Sequence, residues 1–381
     1  MITGSYDAIV VGAGIVGAAC AATLAGDGHR VLVIDASFAA GGATAAGMGH
    51  LVVMDDSPEQ LALTAYSSQL WRELAAELSA AAEYERRGTI WIADGDSQLA
   101  MLQAKKRVYE RAGIACELLD DRALADAEPF LRPGLAGGLL VPSDAVVYQP
   151  IATLYLLRLA RARGAMLREG CRVDAVIPRG VRLRGGDVLL ADVIINATGA
   201  EASALVPALP VIPRKGHLAI TDRYPGLCSH QIVELGYLAS AHAMTTESVA
   251  FNLQPRATGQ VLIGSSRELV GWDASPNPRI ARLMLARARH FMPALATASV
   301  LRMWTGFRPA TPDKLPLIGR WGGEATPDLW IAAGHEWLGI TMALGTAHLI
   351  ADLIAGRETA IDAAPYAPSR VASFPVARAA S

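Results

Sequence analysis

The chain has 381 residues, of which 52% are hydrophobic and 18% charged, against about 25% charged in an average globular domain. That balance excludes a disordered chain and is long enough for two domains. Its 34 basic and 36 acidic residues leave a formal net charge of −2, which gives no reason to expect nucleic acid or an anionic membrane as a partner.

Residues 6–11 (YDAIVV) are a short apolar, β-branched run that leads into GAGIVG and an alanine-rich helical stretch, 18–25. A second apolar run, 30–34 (RVLVI), ends at Asp35. Together they read as strand, glycine turn, helix, strand: one βαβ unit. Helical periodicity covers 59–82 and 96–112, with a strand-like alternation at 88–93 (GTIWIA) between them. From Pro150 the pattern predicts a helix over 151–163, strands over 171–177 and 188–191, and a strand over 193–195 that runs into NATG. Residues 217–220, 249–253 and 260–264 read as antiparallel strands, with a helix over 277–290. A turn-rich block, 306–320, precedes a strand at 329–333 and a helix over 338–355. The Ala/Pro-rich tail after Gly356 is expected to be loosely held.

Dinucleotide-binding elements thus fall at the start, middle and end of the chain. The expected fold class is α/β (α+β overall), with two discontinuous domains. A Rossmann-type nucleotide domain takes 1–83, 143–212 and 306–381; a mainly antiparallel-sheet substrate domain takes 84–142 and 213–305.

The glycine turn carries the first chemistry. Gly12, Ala13, Gly14, Ile15, Val16 and Gly17 spell GxGxxG between a strand and a helix, and Asp35 lies 23 positions after Gly12. The first glycine permits the tight turn, the second lets a pyrophosphate approach the backbone, and the third allows helix to pack closely on strand. The helix N-terminus offers N–H groups and partial positive charge to phosphates. Asp35, with Ala36 and Ser37 after it, stands where a ribose diol binds. The motif does not distinguish NAD from FAD.

Four later segments resemble the glycine oxidase and D-amino-acid oxidase (DAO) family of FAD-dependent enzymes. Residues 41–48 (GGATAAGM) are similar to the family's loop beneath the flavin, which implicates Gly41, Gly42, Ala46, Gly47 and Met48. Ala197, Thr198 and Gly199 of NATG resemble its second dinucleotide-facing turn. GFRP from Gly306, followed by TPD and LPLIG, resembles its "GxRP…D…P.IG" signature. Gly334, His335, Glu336, Trp337, Leu338, Gly339 and Ile340 occupy the place of the last flavin-binding turn. The resemblance runs from about residue 6 to 355 and implies FAD on the first domain, with Val173 beside the adenine. The resemblance also implies that the FAD is non-covalent. No cysteine follows Cys228, which excludes a cysteine link at the last turn, although not a histidine link.

The same resemblance implies the substrate side. Arg308 would pair bidentately with a substrate carboxylate, for which a guanidinium fork is suited. His50 would orient or deprotonate an ammonium, or else serve as a hydrogen-bonded wall. Asn252 stands where glycine oxidases carry a substrate-contacting tyrosine, and Trp337 where they carry an arginine, so the pocket differs from theirs. Tyr237 is read as a lid residue or a core aromatic.

The segment 46–57 (AGMGHLVVMDDS) is similar to catalytic subunits of multi-subunit bacterial dehydrogenases: D-hydroxyproline dehydrogenase, opine oxidase and hydrogen cyanide synthase. That likeness implies oxidation of the C–N bond of a small cyclic or secondary amino acid such as D-hydroxyproline or proline, by hydride transfer to flavin N5 to give an imine. It also implies iron–sulfur or flavin partner subunits. The alternatives are a free-standing glycine, sarcosine or D-amino-acid oxidase that makes peroxide, a non-catalytic FAD-bearing subunit, and a nicotinamide-dependent dehydrogenase, against which the GFRP and GHEWLG segments speak. Only four lysines occur (Lys105, Lys106, Lys215, Lys314), a shortage near the site that weakens one oxygen-activating device.

The four cysteines, Cys20, Cys116, Cys171 and Cys228, lack metal-ligand spacing and read as buried small apolar residues, with no cluster or other metal expected. No apolar run reaches the ~18 residues of a membrane helix, and no signal peptide is visible at MITGSYD. The expected location is cytoplasmic, with peripheral inner-membrane association as the other option.

Overall fold

The β-branched run near the N-terminus becomes the central strand of a sheet covered on both faces, which is why it reads as unbroken apolar sequence. The computed structural model describes residues 2–236, 247–322 and 328–373. In spatial order across this sheet the strands are Leu317–Arg320, Leu329–Ala333, Val188–Asn196, Ile2–Val11, Val31–Ile34 and Met166–Arg168; Gly180–Leu183 pairs with Val188–Asn196, and Val173–Ile177 with Gly180–Leu183. The first strand runs parallel to both neighbours, with Val11 opposite Ile34 on one side and Asn196 on the other. Three strands therefore finish level at their carboxyl ends, the edge at which doubly wound sheets bind ligands.

Helix Ile15–Gly26 packs against Gln149–Ala162 and Gly339–Ala355. Its Ala18, Ala19, Cys20, Ala21 and Ala22 are all buried, and these small side chains let both helices approach it closely. Helix Pro58–Leu74 starts at Ser57, whose hydroxyl accepts from the Gln60 N–H at 3.1 Å. Its Trp71 donates to the carbonyls of Ile340 and Thr341 at 3.1 and 3.0 Å, tying this helix to the start of the last one.

The second sheet has the order Val300–Ala310, Ile212–Thr221, Val261–Glu268, Glu247–Pro255, Gln231–Glu234, Thr89–Ala93, Gly137–Val141, Glu117–Leu119. Only Gln231–Glu234 against Thr89–Ala93 is parallel. Helix Pro278–Phe291 covers this sheet, with Met284 and Phe291 in the core.

Several sequence expectations are corrected. The turn-rich block 306–320 contains the end of an eleven-residue strand, Val300–Ala310, and a second strand, Leu317–Arg320. Gly306 and Pro309 look like breakers, but this is an edge strand, where a proline costs no ladder bond on its open side. Residues 188–191 and 193–195 are one strand, Val188–Asn196. The helix read over 59–82 stops at Leu74, and two short 3₁₀ turns, Ala75–Glu77 and Ala80–Ala82, follow it. The described part of the tail is pinned: Tyr366 is buried and donates to the Glu59 carbonyl at 2.6 Å, and Arg370 pairs with Asp313 at 2.7 Å. Cys20 and Cys228 are buried, but Cys116 and Cys171 are partly exposed. Among the described residues no helix is long and apolar enough to cross a membrane.

Asp144 yields a prediction about stability. It is 1% exposed, accepts from the Val53 N–H at 3.2 Å, and burial raises its pKa from 3.8 to about 7. The folded state thus holds this proton more tightly than the unfolded chain. Its stabilising contribution is complete below the unfolded value and is lost as the pH rises from about 4 to about 7. Asp144→Asn removes that loss, so thermal unfolding should show the variant gaining on the parent between about pH 5 and about pH 8, by on the order of 3 kcal/mol. Parallel pH profiles for the two proteins would contradict this.

Candidate active site

A backbone without side chains forms the floor of the site. Gly12 has φ +108°, and a Cβ there would lie 2.5 Å from the Ala197 carbonyl oxygen; a Cβ on Gly17 would lie 1.9 Å from the Gly12 carbonyl oxygen. Strand, turn and helix meet so closely that only hydrogen fits at either position. Asp35 braces the turn, accepting from the Ala13 N–H and from the Ser37 N–H, both at 2.8 Å. The Thr44 hydroxyl accepts from the Ile15 N–H at 3.0 Å, and helix Ile15–Gly26 has no acidic residue in its first turn, so its N-terminus keeps its positive end for an anion.

The loop that follows is clamped from three directions. Gln149 Nε2 donates to the Thr44 and Gly47 carbonyls at 2.9 and 2.8 Å. Gln254 Nε2 donates to the Met48 carbonyl at 2.7 Å, and Trp304 Nε1 to the Ala46 carbonyl at 3.1 Å. Helix Gln149–Ala162 and two strands of the second sheet thereby hold this loop, and a cavity of about 620 Å³ opens beside it, within the usual range of roughly 300–1,000 Å³ for small-molecule sites.

That cavity collects residues far apart in sequence. Gly12, Gly14, Asp35 and Val173 line it together with His50, Asn252, Arg308 and Trp337. Also at its wall are Ile15, Val16, Ala36, Ser37, Gly41 and Gly42; Ala46, Gly47, Met48, Ala197, Thr198 and Gly199; and Gly306, His335, Glu336, Gly339 and Ile340. Ala13, Gly17, Gly334 and Leu338, expected at the cofactor, lie behind the wall and shape it. Tyr237 lies outside the described residues. Cys171, read as a buried core residue, lines the cavity.

Arg308 stands on the edge strand opposite Arg214 in the antiparallel register. Its guanidinium lies across Gly216, where a Cβ would meet the terminal nitrogen at 2.2 Å, and donates to the Ser266 carbonyl at 2.8 Å. Like charges opposite each other on neighbouring strands repel, and the compensating anion is Glu336, 3.6 Å from Arg214. Burial raises the Glu336 pKa, while Arg214, Arg267, Arg308 and Lys314 pull it down. Four cations thus surround one carboxylate, and a ligand carboxylate entering here meets a positive field.

His50 is neutral. Burial lowers its pKa to about 4, although a hydrogen bond to Gln231 opposes that shift. His50 Nδ1 contacts Gln231 Oε1, and His50 Nε2 lies 3.1 Å from Asn252 Nδ2. His335 is structural in its contacts: Nε2 meets the Thr346 hydroxyl at 2.9 Å, and burial lowers its pKa to about 3. Trp272 and Phe307 stack edge-to-face at the cavity, their centroids 5.1 Å apart.

Sequence reasoning missed Thr44, Gly216, Gln231, Trp272 and Glu336's ring of cations.

Residues 7–353 match the family model described as FAD dependent oxidoreductase, DAO. A D-amino acid dehydrogenase of Methylobacterium nodulans is 32% identical over 312 residues, 77% of this chain and 70% of that protein. A glycine oxidase of Pseudomonas putida is 29% identical over 385 residues, 96% of this chain and 98% of that one. The crystal structure of glycine oxidase from Geobacillus kaustophilus superposes with a TM-score of 0.86 at 27% identity, covering 97% of this chain and 99% of that one.

Proposed function

This chain belongs to the DAO family of FAD-dependent oxidoreductases, and on that premise we propose that it oxidises the carbon–nitrogen bond of a small cyclic or secondary amino acid, of the D-hydroxyproline or proline kind. FAD is its cofactor, and the residues present fit that group. The side-chain-free turn at Gly12 and Gly14 and the open helix N-terminus suit a pyrophosphate, Asp35 suits a ribose, and Val173 suits the adenine. Gly41–Met48 and His335–Ile340 would hold the flavin, without a covalent link. We assign 1–83, 143–212 and 306–381 to the FAD-binding domain and 84–142 and 213–305 to the substrate domain, with strand Val300–Ala310 crossing between them.

The carrying observation is the single cavity that joins the dinucleotide turn to Arg308 and to the neutral His50–Asn252 pair. When bound, FAD supplies the two-electron acceptor that takes a hydride from the α-carbon. The protein's own work is placement. Arg308 presents two N–H groups to the carboxylate, and that grip fixes the α-carbon relative to the cavity wall. The surplus of positive charge around Arg308 disfavours a second cation, so it helps the substrate ammonium lose its proton before oxidation. Trp337, where glycine oxidases carry an arginine, offers an apolar wall to a ring substituent. The amine nitrogen loses one proton and the α-carbon one hydride, which leaves the imine.

A second reading, a free-standing oxidase for glycine, sarcosine or D-amino acids, draws on the glycine oxidase relatives. The two differ in what reoxidises the enzyme. We favour electron delivery to iron–sulfur or flavin partner subunits, in the cytoplasm or at the inner face of the membrane. Turnover with proline isomers, hydroxyproline isomers, sarcosine, glycine and D-alanine should therefore be fast with an artificial quinone and slow in air. Rapid air turnover with stoichiometric peroxide would establish the oxidase instead, and a non-catalytic subunit would turn over none of them.

A further inference from the structure

A chain of hydrogen bonds crosses from a backbone carbonyl to the cavity, and its direction is set at the buried end. Gln231, wholly buried, contacts the Ala145 carbonyl through Nε2 at 2.9 Å. A carbonyl can only accept, so Nε2 must be the amide nitrogen and Oε1 must be the oxygen that faces His50 Nδ1. An oxygen there requires a proton on Nδ1. In neutral His50 the lone pair is then on Nε2, so the Asn252 arm facing it at 3.1 Å is the donating nitrogen, Nδ2. Both N–H groups of Gln231, the Nδ1–H of His50 and one N–H of Asn252 are thus spent within the chain. The acceptor left over is Asn252 Oδ1, on a side chain 3% exposed that lines the cavity, and no donor of the described protein meets it. A buried acceptor without a donor calls for an explanation, and a ligand N–H is the simplest one.

We propose that Gln231 is a positioning residue that sets the proton order of this chain, so that the His50–Asn252 pair meets the substrate as a hydrogen-bond acceptor and takes an N–H of its amine. This rests on the amino-acid reading above and adds to it the group that reads the nitrogen. Arg308 holds the carboxylate end, and Asn252 distinguishes an amine from an isosteric ether. Burial keeps His50 neutral, which removes the doubly protonated form in which Nε2 would donate and Asn252 would turn over.

The test compares two ligands of one shape: proline and tetrahydrofuran-2-carboxylate, in which an ether oxygen replaces the ring N–H. Binding is measured by calorimetry on the FAD-loaded protein, alongside KM and kcat. The parent protein should prefer the amine. Asn252→Leu and Gln231→Leu should each weaken the amine by about ten- to a hundredfold, the range for losing one buried partner, and leave the ether analogue within about threefold. Gln231→Glu, which as a neutral acid keeps an oxygen opposite His50 Nδ1 and a donor toward Ala145, should retain most of the preference. Equal weakening of both ligands, or a preference that survives both leucine variants, would overturn the inference while the amino-acid reading stands. If no amino acid of the panel is turned over by the parent protein, that reading falls and takes the inference with it.

Discussion

Arg308→Ala is expected to lower kcat/KM for every amino-acid substrate by about 10²–10⁴-fold, the range for truncating one partner of a hydrogen-bonded charge pair in a desolvated site. The protein should keep its flavin and its fold. Arg308 reaches its place from an edge strand, lies flat on Gly216 and spends one nitrogen on the Ser266 carbonyl, so its removal opens no core cavity. It also relieves the opposition to Arg214 across the register, so the melting temperature should hold or rise slightly. Arg308→Lys should recover only part of the activity, because an ammonium on a shorter reach cannot make the two parallel bonds of a fork. A loss confined to KM would identify uniform binding; equal loss in kcat and kcat/KM would show that the grip matters in the transition state. Steady-state kinetics on the two variants, with flavin content and thermal melts as controls, measure this.

Gly17→Ala is expected to give a colourless protein. The added Cβ would sit 1.9 Å from the Gly12 carbonyl oxygen, and neither atom is at the end of a flexible side chain. Helix Ile15–Gly26 must therefore move away from the first strand, taking with it the N–H groups proposed to hold the pyrophosphate. The direct strain costs about 1–3 kcal/mol. The loss of tight cofactor binding removes further stability by mass action. Gly12→Ala should behave alike for a second reason, since φ +108° is closed to a residue with a Cβ. The visible absorbance of the purified variants, and their melting with and without added FAD, check this; a yellow Gly17→Ala protein with unchanged melting would contradict the account of the turn.

Whatever depended on contiguous residues was legible in the sequence. The glycine turn, its acidic partner and the flavin loop each announce themselves within a short window, because the backbone geometry they serve is local. The cavity brings them together as their order implied. Arg308 was singled out through the residues around it, yet its setting was misread: Gly306 and Pro309 suggested a turn, and only the pairing with Ile212–Thr221 makes that segment a strand. The charge balance around it was invisible, because Arg214, Arg267, Lys314 and Glu336 come from separate segments whose meeting is a property of the fold. Gln231 was hidden for the same reason. Its work is done through Ala145 and His50, 86 and 181 positions away in the chain. The tail was underestimated because the partners of Tyr366 and Arg370, Glu59 and Asp313, give no sign in composition.

In the proposed reaction this cavity removes a hydride from the carbon that bears the amine. This step is tested most directly by anaerobic reduction of the bound flavin, followed by its visible absorbance, with proline or the best substrate of the panel and the same compound deuterated at the α-carbon. The amino acid should bleach the flavin, several-fold more slowly when deuterated, and the ether analogue should not bleach it. Flavin that stays oxidised with every amino acid of the panel would contradict it.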